Sequence, residues 1–246
     1  MRYALISDIH SNLAAFQAVL DDVGQVDEFW CLGDVVGYGP DPNDCIDLLR
    51  SLPHLCLAGN HDWGSIGQVE LGYFNADARA ACLWTARQLT PAHRQYLQEL
   101  PLTLERDRFT LAHGSPRNPI WEYVITASVA KSNLAHFSTQ FCLVGHSHLP
   151  LIFQEPDKDK GNPNLCRLVD YAIGEPLPLG EARRIFNPGS VGQPRDGDAR
   201  ASYAILDTDN ETIEYRRVAY PIERTQQRMQ AAGLPSKLIA RLSFGM

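Results

Sequence analysis

Five short polar clusters in this chain combine the residue types that bind divalent metal ions. Each cluster follows an apolar run that predicts a β-strand. Carboxylate, imidazole and amide side chains together suit ions of the manganese, iron or zinc type, whereas all-oxygen sets favour calcium or magnesium. The clusters are Asp8-Ile9-His10, Gly33-Asp34, Gly59-Asn60-His61-Asp62, His113-Gly114 and Gly145-His146-Ser147-His148.

The number and spacing of these donors indicate more than one metal ion. Seven candidate side chains are too many for one four-coordinate zinc, so two metals that share a carboxylate fit better. In the first and last clusters the donors are two residues apart, which places both on one face of an extended segment. The seven candidates are Asp8, His10, Asp34, Asn60, His113, His146 and His148.

The elements that must position these donors alternate along the first third of the chain. Strand patterns at 3–6, 28–32 and 55–58 enclose helix patterns at 13–23 and 44–52. Such alternation predicts parallel strands joined by crossover helices, and these sheets bind ligands beyond the carboxyl ends of their strands. We therefore expect the donors that follow the strands to meet at one edge.

Later segments predict a helical cover and the beginning of a second sheet. Two helices are expected between residues 75 and 99, the second capped by Thr90. An exposed hairpin loop is expected at 155–164, where Pro and Gly interrupt a charged stretch. Further strands are predicted at 102–105, 109–112, 141–144, 165–169, 184–186, 202–206 and 212–217, with helices at 127–136, 222–232 and 235–242.

Composition limits the class of protein. The chain has 246 residues, of which 44% are hydrophobic, enough for the core of a single domain over residues 1–246. A net charge of -7 argues against a surface built to hold nucleic acid or anionic lipid. The sequence has no apolar run of the roughly 20 residues that a membrane span needs, and the apolar run at residues 3–6 is too short for a signal peptide. We therefore expect a soluble, cytoplasmic protein.

The six cysteines argue against a zinc-thiolate site. They form no C-x-x-C pair, and several lie inside apolar runs, as in Trp30-Cys31-Leu32. Structural zinc sites usually bring their thiolate ligands in closely spaced pairs. We therefore predict reduced, mostly buried thiols.

In their order along the chain, the five motifs resemble the calcineurin-like metallophosphoesterase superfamily. The motifs D-x-H, G-D, G-N-H-D, H-G and G-H-S-H are all present between Asp8 and His148. The segment from Asn187 to Arg195 resembles the small bacterial phosphodiesterase branch of that superfamily. The resemblance implies an α/β fold in which two mixed β-sheets form a sandwich flanked by helices, a four-layer αββα arrangement. Residues after His148 would complete the second sheet.

The resemblance also implies a dinuclear metal centre in which Asp34 bridges two divalent ions, manganese, iron or zinc. A hydroxide between the ions would attack phosphorus in line, because two cations lower the pKa of water and neutralise the phosphoryl oxygens. The first ion would be held by Asp8, His10, Asp34 and His148, and the second by Asp34, Asn60, His113 and His146.

Several further residues are candidates for roles beside the metals. His61 would be catalytic, as in the family, by protonating the leaving oxygen or stabilising the transition state. Asp62 would orient that ring or support the ligands, with a helix-capping role as the alternative. Arg117 and Arg195 are candidates for binding the phosphate of the substrate, with solvated surface arginines as the alternative. Tyr38 is a candidate for lining the substrate pocket.

The function implied is a metal-dependent phosphoester hydrolase, with a phosphodiester or nucleotide-like substrate favoured. A protein Ser/Thr phosphatase or a diadenosine tetraphosphate hydrolase is the alternative, although those enzymes carry G-D-x-x-D-R-G where residues 33–39 read G-D-V-V-G-Y-G. A non-catalytic scaffold of the same fold and a DNA nuclease are further alternatives. The substrate depends on loops such as 35–43, 63–74 and 116–123, and substrate, metal and oligomeric state stay open.

Overall fold

Two six-stranded mixed sheets with helices on their outer faces form the fold in residues 1–156 and 165–246, which a computed structural model describes. The hairpin loop expected at 155–164 lies, from residue 157 on, outside the described residues. The strands are β1 (Arg2–Ile6), β2 (Glu28–Cys31), β3 (His54–Cys56), β4 (Thr103–Arg106), β5 (Phe109–Ala112), β6 (Phe141–Leu143), β7 (Pro150–Gln154), β8 (Arg167–Leu168), β9 (Pro176–Pro178), β10 (Arg184–Pro188), β11 (Ala201–Asp207) and β12 (Thr212–Val218). The α-helices are α1 (Leu13–Val23), α2 (Pro42–Arg50), α3 (Asn60–Ile66), α4 (Ala76–Gln88), α5 (Pro91–Glu99), α6 (Ala127–Asn133), α7 (Ile222–Ala231) and α8 (Ser236–Arg241).

The first sheet has the strand order β3-β2-β1-β11-β12-β9. Strands β1, β2 and β3 are parallel, as the alternation of strands and helices predicts, and α1 and α2 are their crossovers. Helix α2 begins earlier than expected, at Pro42, because proline fits the first turn of a helix. The α/β class and the parallel start of the sheet are confirmed.

The second sheet has the strand order β4-β5-β6-β10-β7-β8, with β5, β6 and β10 parallel. The expectation that residues after His148 complete this sheet is confirmed for β7, β8 and β10 but not for the later strands. Strands β11 and β12 join the first sheet, where β11 runs antiparallel to β1 and Tyr3 pairs with Leu206. Alternating apolar residues identify a strand but not its partner, so the pattern could not show that β11 and β12 pair with the first sheet.

A hydrophobic core between the two sheets holds them face to face. In β1, Tyr3 and Leu5 point into this core, and the alternate residues Ala4 and Ile6 pack towards α1. Aromatic side chains of both sheets meet here, since Phe109 lies 5.7 Å from the Trp30 ring. This packing brings the carboxyl ends of both sets of parallel strands to the same region.

Two other features bear on the predictions made from composition. All six cysteines are free and buried, which confirms the prediction of buried thiols. Within the described part of the chain, none of the helices has both the length and the apolar character needed to cross a membrane.

Candidate metal centre

The chain turns sharply where the candidate ligands follow strands β1, β2 and β6. Asp8, His10, Asp34, His146 and His148 all have backbone φ between 50° and 62°, in the left-handed region. The amide of Asp8 donates to the carbonyl of Gly33 at 3.0 Å, and that of His10 to the carbonyl of Asp34 at 3.0 Å. The turns after β1 and β2 are therefore locked together, with their side chains directed inward.

Close packing explains two of the glycines beside the candidate ligands. A Cβ at position 59 would lie 2.0 Å from Oδ1 of Asp34, and one at position 145 would lie 2.0 Å from Oγ of Ser7. At position 59 the Cβ would also lie 2.4 Å from the backbone nitrogen of Asp34, so glycine is required there. At position 145 a larger residue would have to displace the buried side chain of Ser7.

One buried cluster consists of Asp8, His10 and His148. Their ligand atoms lie within 4.8 Å of one another. Nε2 of His148 is 3.2 Å from Oδ1 of Asp8, and Nε2 of His10 is 3.1 Å from Nε2 of His148. Two imidazole nitrogens and one carboxylate oxygen facing a common point form a donor set for a transition metal ion.

A second buried cluster consists of Asp34, His113 and His146. Nε2 of His113 lies 3.4 Å from Oδ2 of Asp34 and 3.2 Å from Oδ1 of Asn60. The same Oδ2 of Asp34 is 3.6 Å from Nε2 of His10, in the first cluster. The structure thus brings all seven predicted donors together, with Asp34 between the two clusters.

The polar atoms that face the clusters fit a metal ion. Oδ1 of Asp8, Oδ2 of Asp34 and Nε2 of His146 are buried and have no hydrogen-bond partner within the described residues. Leaving buried polar atoms unpartnered is costly, and bound cations would satisfy them. Each cluster can therefore hold a divalent ion.

Backbone carbonyls orient three of the histidine rings. Nδ1 of His10 lies 3.1 Å from the carbonyl of Val36, Nδ1 of His113 lies 2.8 Å from that of Leu32, and Nδ1 of His148 lies 2.5 Å from that of Gln193. An Nδ1–H that donates to a carbonyl leaves the lone pair of Nε2 directed at the metal, as in known metal sites.

The charge states of the candidate ligands suit cation binding at neutral pH. Burial would raise the pKa of Asp8, but the adjacent His148 and His10 outweigh it and hold that pKa well below its usual range. Burial lowers the pKa of His146 to about 3, and burial with the charge of Arg195 lowers that of His148 to about 4. Carboxylates are thus ionised and these imidazoles neutral, the forms that bind metals.

His113 is the exception among the imidazoles. Burial alone would lower its pKa, but the negative charge of Asp34 beside it outweighs burial and raises the pKa to about 10. A cation in this cluster would take the place of the proton on His113, so metal binding would release a proton here.

His61 lies beside the clusters and lines the pocket in front of them. Its amide donates to Oδ1 of Asp34 at 2.8 Å, and its ring lies edge-on to His10, with centroids 4.9 Å apart. Nδ1 of His61 is 3.4 Å from Sγ of Cys82 on α4. Burial lowers the pKa of His61 well below its usual range, so the ring is neutral at pH 7.

The carboxylate of Asp62 binds backbone rather than the neighbouring ring. Its oxygens accept hydrogen bonds from the amides of Asp34 at 2.8 Å, Val36 at 3.0 Å and Gly59 at 3.0 Å. Burial and the charge of Asp34 raise its pKa to about 7. Asp62 therefore joins the start of α3 to the turn after β2.

A pocket of about 150 Å³ opens in front of the clusters. Tyr38 lines it, as expected from sequence, and so does Arg195. Nη2 of Arg195 donates to Oε1 of Gln193 at 3.0 Å, and its guanidinium lies 5.8 Å from the centre of the Tyr38 ring. Nε of Arg195 is buried without a hydrogen-bond partner in the described chain. The remaining lining residues are Asp34, Asn60, His61, Tyr73, Phe74, Asn75, Ala78, Trp121, Tyr123, His146 and His148.

Arg117 is not among the described residues that line this pocket. Its guanidinium forms an ion pair with Glu122, which also accepts hydrogen bonds from Ser115 at 2.7 Å and Asn133 at 2.8 Å. Glu122 therefore organises the loop that carries Trp121. Sequence reasoning missed Glu122, because a single glutamate in a loop carries no pattern, although the loop at 116–123 was expected to shape the pocket.

Comparison with known proteins shows the family of this chain. Residues 1–211 match the sequence model of the calcineurin-like phosphoesterase superfamily domain. The chain belongs to the calcineurin-like phosphoesterase superfamily. The protein MJ0912 of Methanocaldococcus jannaschii is 38% identical to it over 250 residues, covering 98% of this chain and 97% of that protein.

Solved structures share the fold of this chain. The crystal structure of a metallophosphoesterase from Sphaerobacter thermophilus is 46% identical, covers 100% of this chain and 99% of its own, and superposes with a TM-score of 0.90. The structure of PH1004 from Pyrococcus horikoshii OT3 is 19% identical with a TM-score of 0.78, covering 100% of this chain and 98% of its own, which shows the fold alone. The two-sheet sandwich is therefore the superfamily fold, and the protein is a metal-dependent phosphoesterase by family.

Metal addition is expected to stabilise the protein. A ligand present at 100 times its Kd stabilises the folded state by about 2.7 kcal/mol, so the melting temperature of metal-stripped protein should rise on titration with Mn²⁺. Asp34→Asn should reduce this rise, because Oδ2 of Asp34 faces both clusters. Asp170→Asn, at an exposed position, is the control. A melting temperature that Mn²⁺, Fe²⁺ and Zn²⁺ all leave unchanged would contradict the metal site.

Glu122 is expected to make stability depend on pH. Burial would raise its pKa, but hydrogen bonds from Arg117, Asn133 and Ser115 outweigh burial and lower it to about 2. A carboxylate with a depressed pKa stabilises the fold above its unfolded pKa, and this stabilisation is lost as pH falls towards the folded value. Glu122→Gln should therefore lower the free energy of unfolding by about 1–3 kcal/mol at pH 7.

The free energy of unfolding of wild type should exceed that of Glu122→Gln by an amount that shrinks progressively from pH 5 to pH 3. Urea unfolding at each pH measures it. Glu175→Gln, at an exposed position, is the control and should show little difference at either pH. A difference that stays constant over this range would show that the carboxylate charge plays no part.

Proposed function

We propose that this protein is a phosphodiesterase that uses a dinuclear metal centre to hydrolyse a small, nucleotide-like phosphoester. The observation that carries the proposal is the position of Asp34. Its Oδ2 lies 3.4 Å from Nε2 of His113 and 3.6 Å from Nε2 of His10, and it has no hydrogen-bond partner within the described chain. One carboxylate oxygen thus faces both clusters, as a bridging ligand would.

Under this proposal the two clusters each gain Asp34 as a ligand, and the second also gains Asn60. Two divalent ions held there, manganese, iron or zinc, would neutralise phosphoryl oxygens and lower the pKa of the attacking water. Asp8, His10, Asp34 and His148 would hold one ion, and Asp34, Asn60, His113 and His146 the other.

His61 is proposed as the catalytic residue that meets the leaving oxygen. It lines the pocket next to Asn60 but belongs to neither cluster. Because Nδ1 faces the thiol of Cys82 at 3.4 Å, Nε2 is the nitrogen left for the substrate. Asp62 is proposed to act indirectly, since its hydrogen bonds with backbone amides fix the beginning of α3, where His61 lies.

Arg195 is proposed to bind a phosphate oxygen. Its Nε is buried in the pocket wall and unpartnered in the described chain, and a guanidinium binds phosphate strongly through charge-assisted hydrogen bonds. Arg117 was the other candidate, but its guanidinium pairs with Glu122, so a role for it in substrate binding needs a substrate that extends beyond the pocket.

The alternatives fit the site less well. Phosphatases with the G-D-x-x-D-R-G motif would have an aspartate where this chain has Gly37, and a Cβ there would lie 2.6 Å from Nδ1 of His61. The ring of His61 packs into that space instead, beside Cys82. A non-catalytic scaffold would not need a complete donor set with buried, unpartnered atoms.

The function is tested by hydrolysis of bis(p-nitrophenyl) phosphate and p-nitrophenyl phosphate by the manganese-loaded protein. His61→Ala should lower kcat by about 10²- to 10⁴-fold, the typical contribution of general acid–base catalysis, with the metal content unchanged. His136→Ala, at an exposed position, is the control. Hydrolysis of the monoester alone would favour the phosphatase alternative, and loss of metal from His61→Ala would show that His61 is a ligand.

Arg195→Ala should raise KM for the diester by about 10-fold or more, because a hydrogen bond to a charged group contributes about 1.5–3 kcal/mol. Arg117→Ala is the matched comparison and should leave KM close to that of wild type, since its guanidinium pairs with Glu122. Steady-state kinetics on both variants checks this. Equal increases in KM would establish Arg117 as a second phosphate ligand.

A further inference from the structure

Aromatic side chains from two separate loops form the outer wall of the pocket. Tyr73 and Phe74 lie just before α4, and Trp121 and Tyr123 follow β5 in the loop held by Glu122. The ring of Trp121 is 5.1 Å from that of Phe74 and 5.7 Å from that of Tyr73, so the two loops meet through their rings. We call these four residues the aromatic wall.

The wall begins at the candidate metal ligands and extends outward. Tyr123 stacks on His146, with ring centroids 4.1 Å apart and planes 3° apart. Phe74 lies edge-on to His61 at 5.0 Å. One end of the wall therefore touches the residues proposed to bind and cleave the phosphoester.

The wall leaves ring surface open to solvent. Tyr73 is 74% exposed and Tyr123 is 44% exposed, although both lie beside a concave site. Clustered exposed apolar surface costs solubility and marks a binding site more often than ordinary surface. Part of the surface of both side chains is thus available to a ligand that enters the pocket.

We propose that the aromatic wall is a subsite for a planar aromatic group, such as a nucleobase or an aryl ring, attached to the phosphate of the substrate. The inference rests on the proposed function and adds the position of the group that is esterified to the phosphate. The candidate metal ligands and His61 in the pocket lining are buried, whereas Tyr73 and Tyr123 are exposed. A phosphate bound at the base would place its ester substituent against the rings.

The size and chemistry of the wall favour a planar ring over an alkyl chain. At about 150 Å³ the pocket is smaller than the roughly 300–1,000 Å³ typical of ligand sites, so it suits one compact group. Stacking of a base on an aromatic side chain contributes about 1–3 kcal/mol and tolerates different bases, because every base has a π face. A flexible chain gains area but no stacking.

The test uses three phosphonates, whose carbon–phosphorus bond is not cleaved by phosphoester hydrolysis. Phenylphosphonate and n-hexylphosphonate both have six carbons and differ in planarity, and an acyclic adenine nucleoside phosphonate presents a nucleobase. Binding to the manganese-loaded protein is measured by calorimetry. We expect phenylphosphonate to bind about 5-fold or more tightly than n-hexylphosphonate, as stacking predicts. Tighter binding still by the adenine compound would identify a nucleobase as the ring.

Trp121→Leu and Tyr123→Leu should each reduce the preference for the planar ligands while leaving the affinity for n-hexylphosphonate within about 2-fold, because leucine keeps an apolar surface without a π face. Phe244→Leu, at a position 60% exposed and outside the pocket lining, is the control. Using both wall variants keeps the test valid if one of them fails to fold, which its melting temperature would show.

Equal affinities of wild type for phenylphosphonate and n-hexylphosphonate would overturn the inference, and so would an aromatic preference that survives undiminished in both wall variants. The proposed function fails by a different result, the absence of phosphoester hydrolysis by the same metal-loaded preparation. Phosphonate binding does not require turnover, so the two failures are distinguishable.

Discussion

The constraint on which this structure depends is the burial of two ionised carboxylates whose inner oxygens have no protein partner. Each of Asp8 and Asp34 has one oxygen held by the protein: Oδ2 of Asp8 accepts from Oγ of Ser7 at 2.6 Å, and Oδ1 of Asp34 accepts from the amide of His61 at 2.8 Å. The other oxygen of each faces the clusters unpartnered in the described chain. Burying such charges costs several kcal/mol per ion unless they are paired, so the fold is organised around the cations that would pair them.

The two sheets share this constraint, because neither supplies a complete donor set. Asp8, His10 and Asp34 follow strands of the first sheet, and the histidines of the second sheet complete both clusters. Their separation is set by the core between the sheets, where Tyr3 and Leu5 meet aromatic residues of the other sheet. The hydrophobic core thus determines the distances within the polar site, since close-packed interiors yield little to strain.

The donors and the elements that carry them could be predicted from sequence because both depend on local pattern. Polar clusters after apolar runs identified the strand ends, and helix α1 was predicted with the bounds that the structure shows. The partner of β11 could not be predicted, because it depends on which sheet edge is open, and the position of Arg117 depends on its contact with Glu122. The aromatic wall likewise comes from two loops distant in sequence, whose meeting through Phe74 and Trp121 has no local signature.

The left-handed turns at the candidate ligands restrict which residues can occupy them. At φ values near 50–62°, Asp, Asn and His are tolerated better than other residues with a side chain, whereas β-branched and bulky residues are strongly disfavoured. The same short list contains the oxygen and nitrogen donors that borderline metal ions accept. Two independent filters, backbone geometry and coordination chemistry, therefore select the same residue types at Asp8, His10, Asp34, His146 and His148. A glutamate at position 34 would keep the charge but is less favoured than aspartate at this φ, so side chains that are chemically equivalent in solution are not equivalent here.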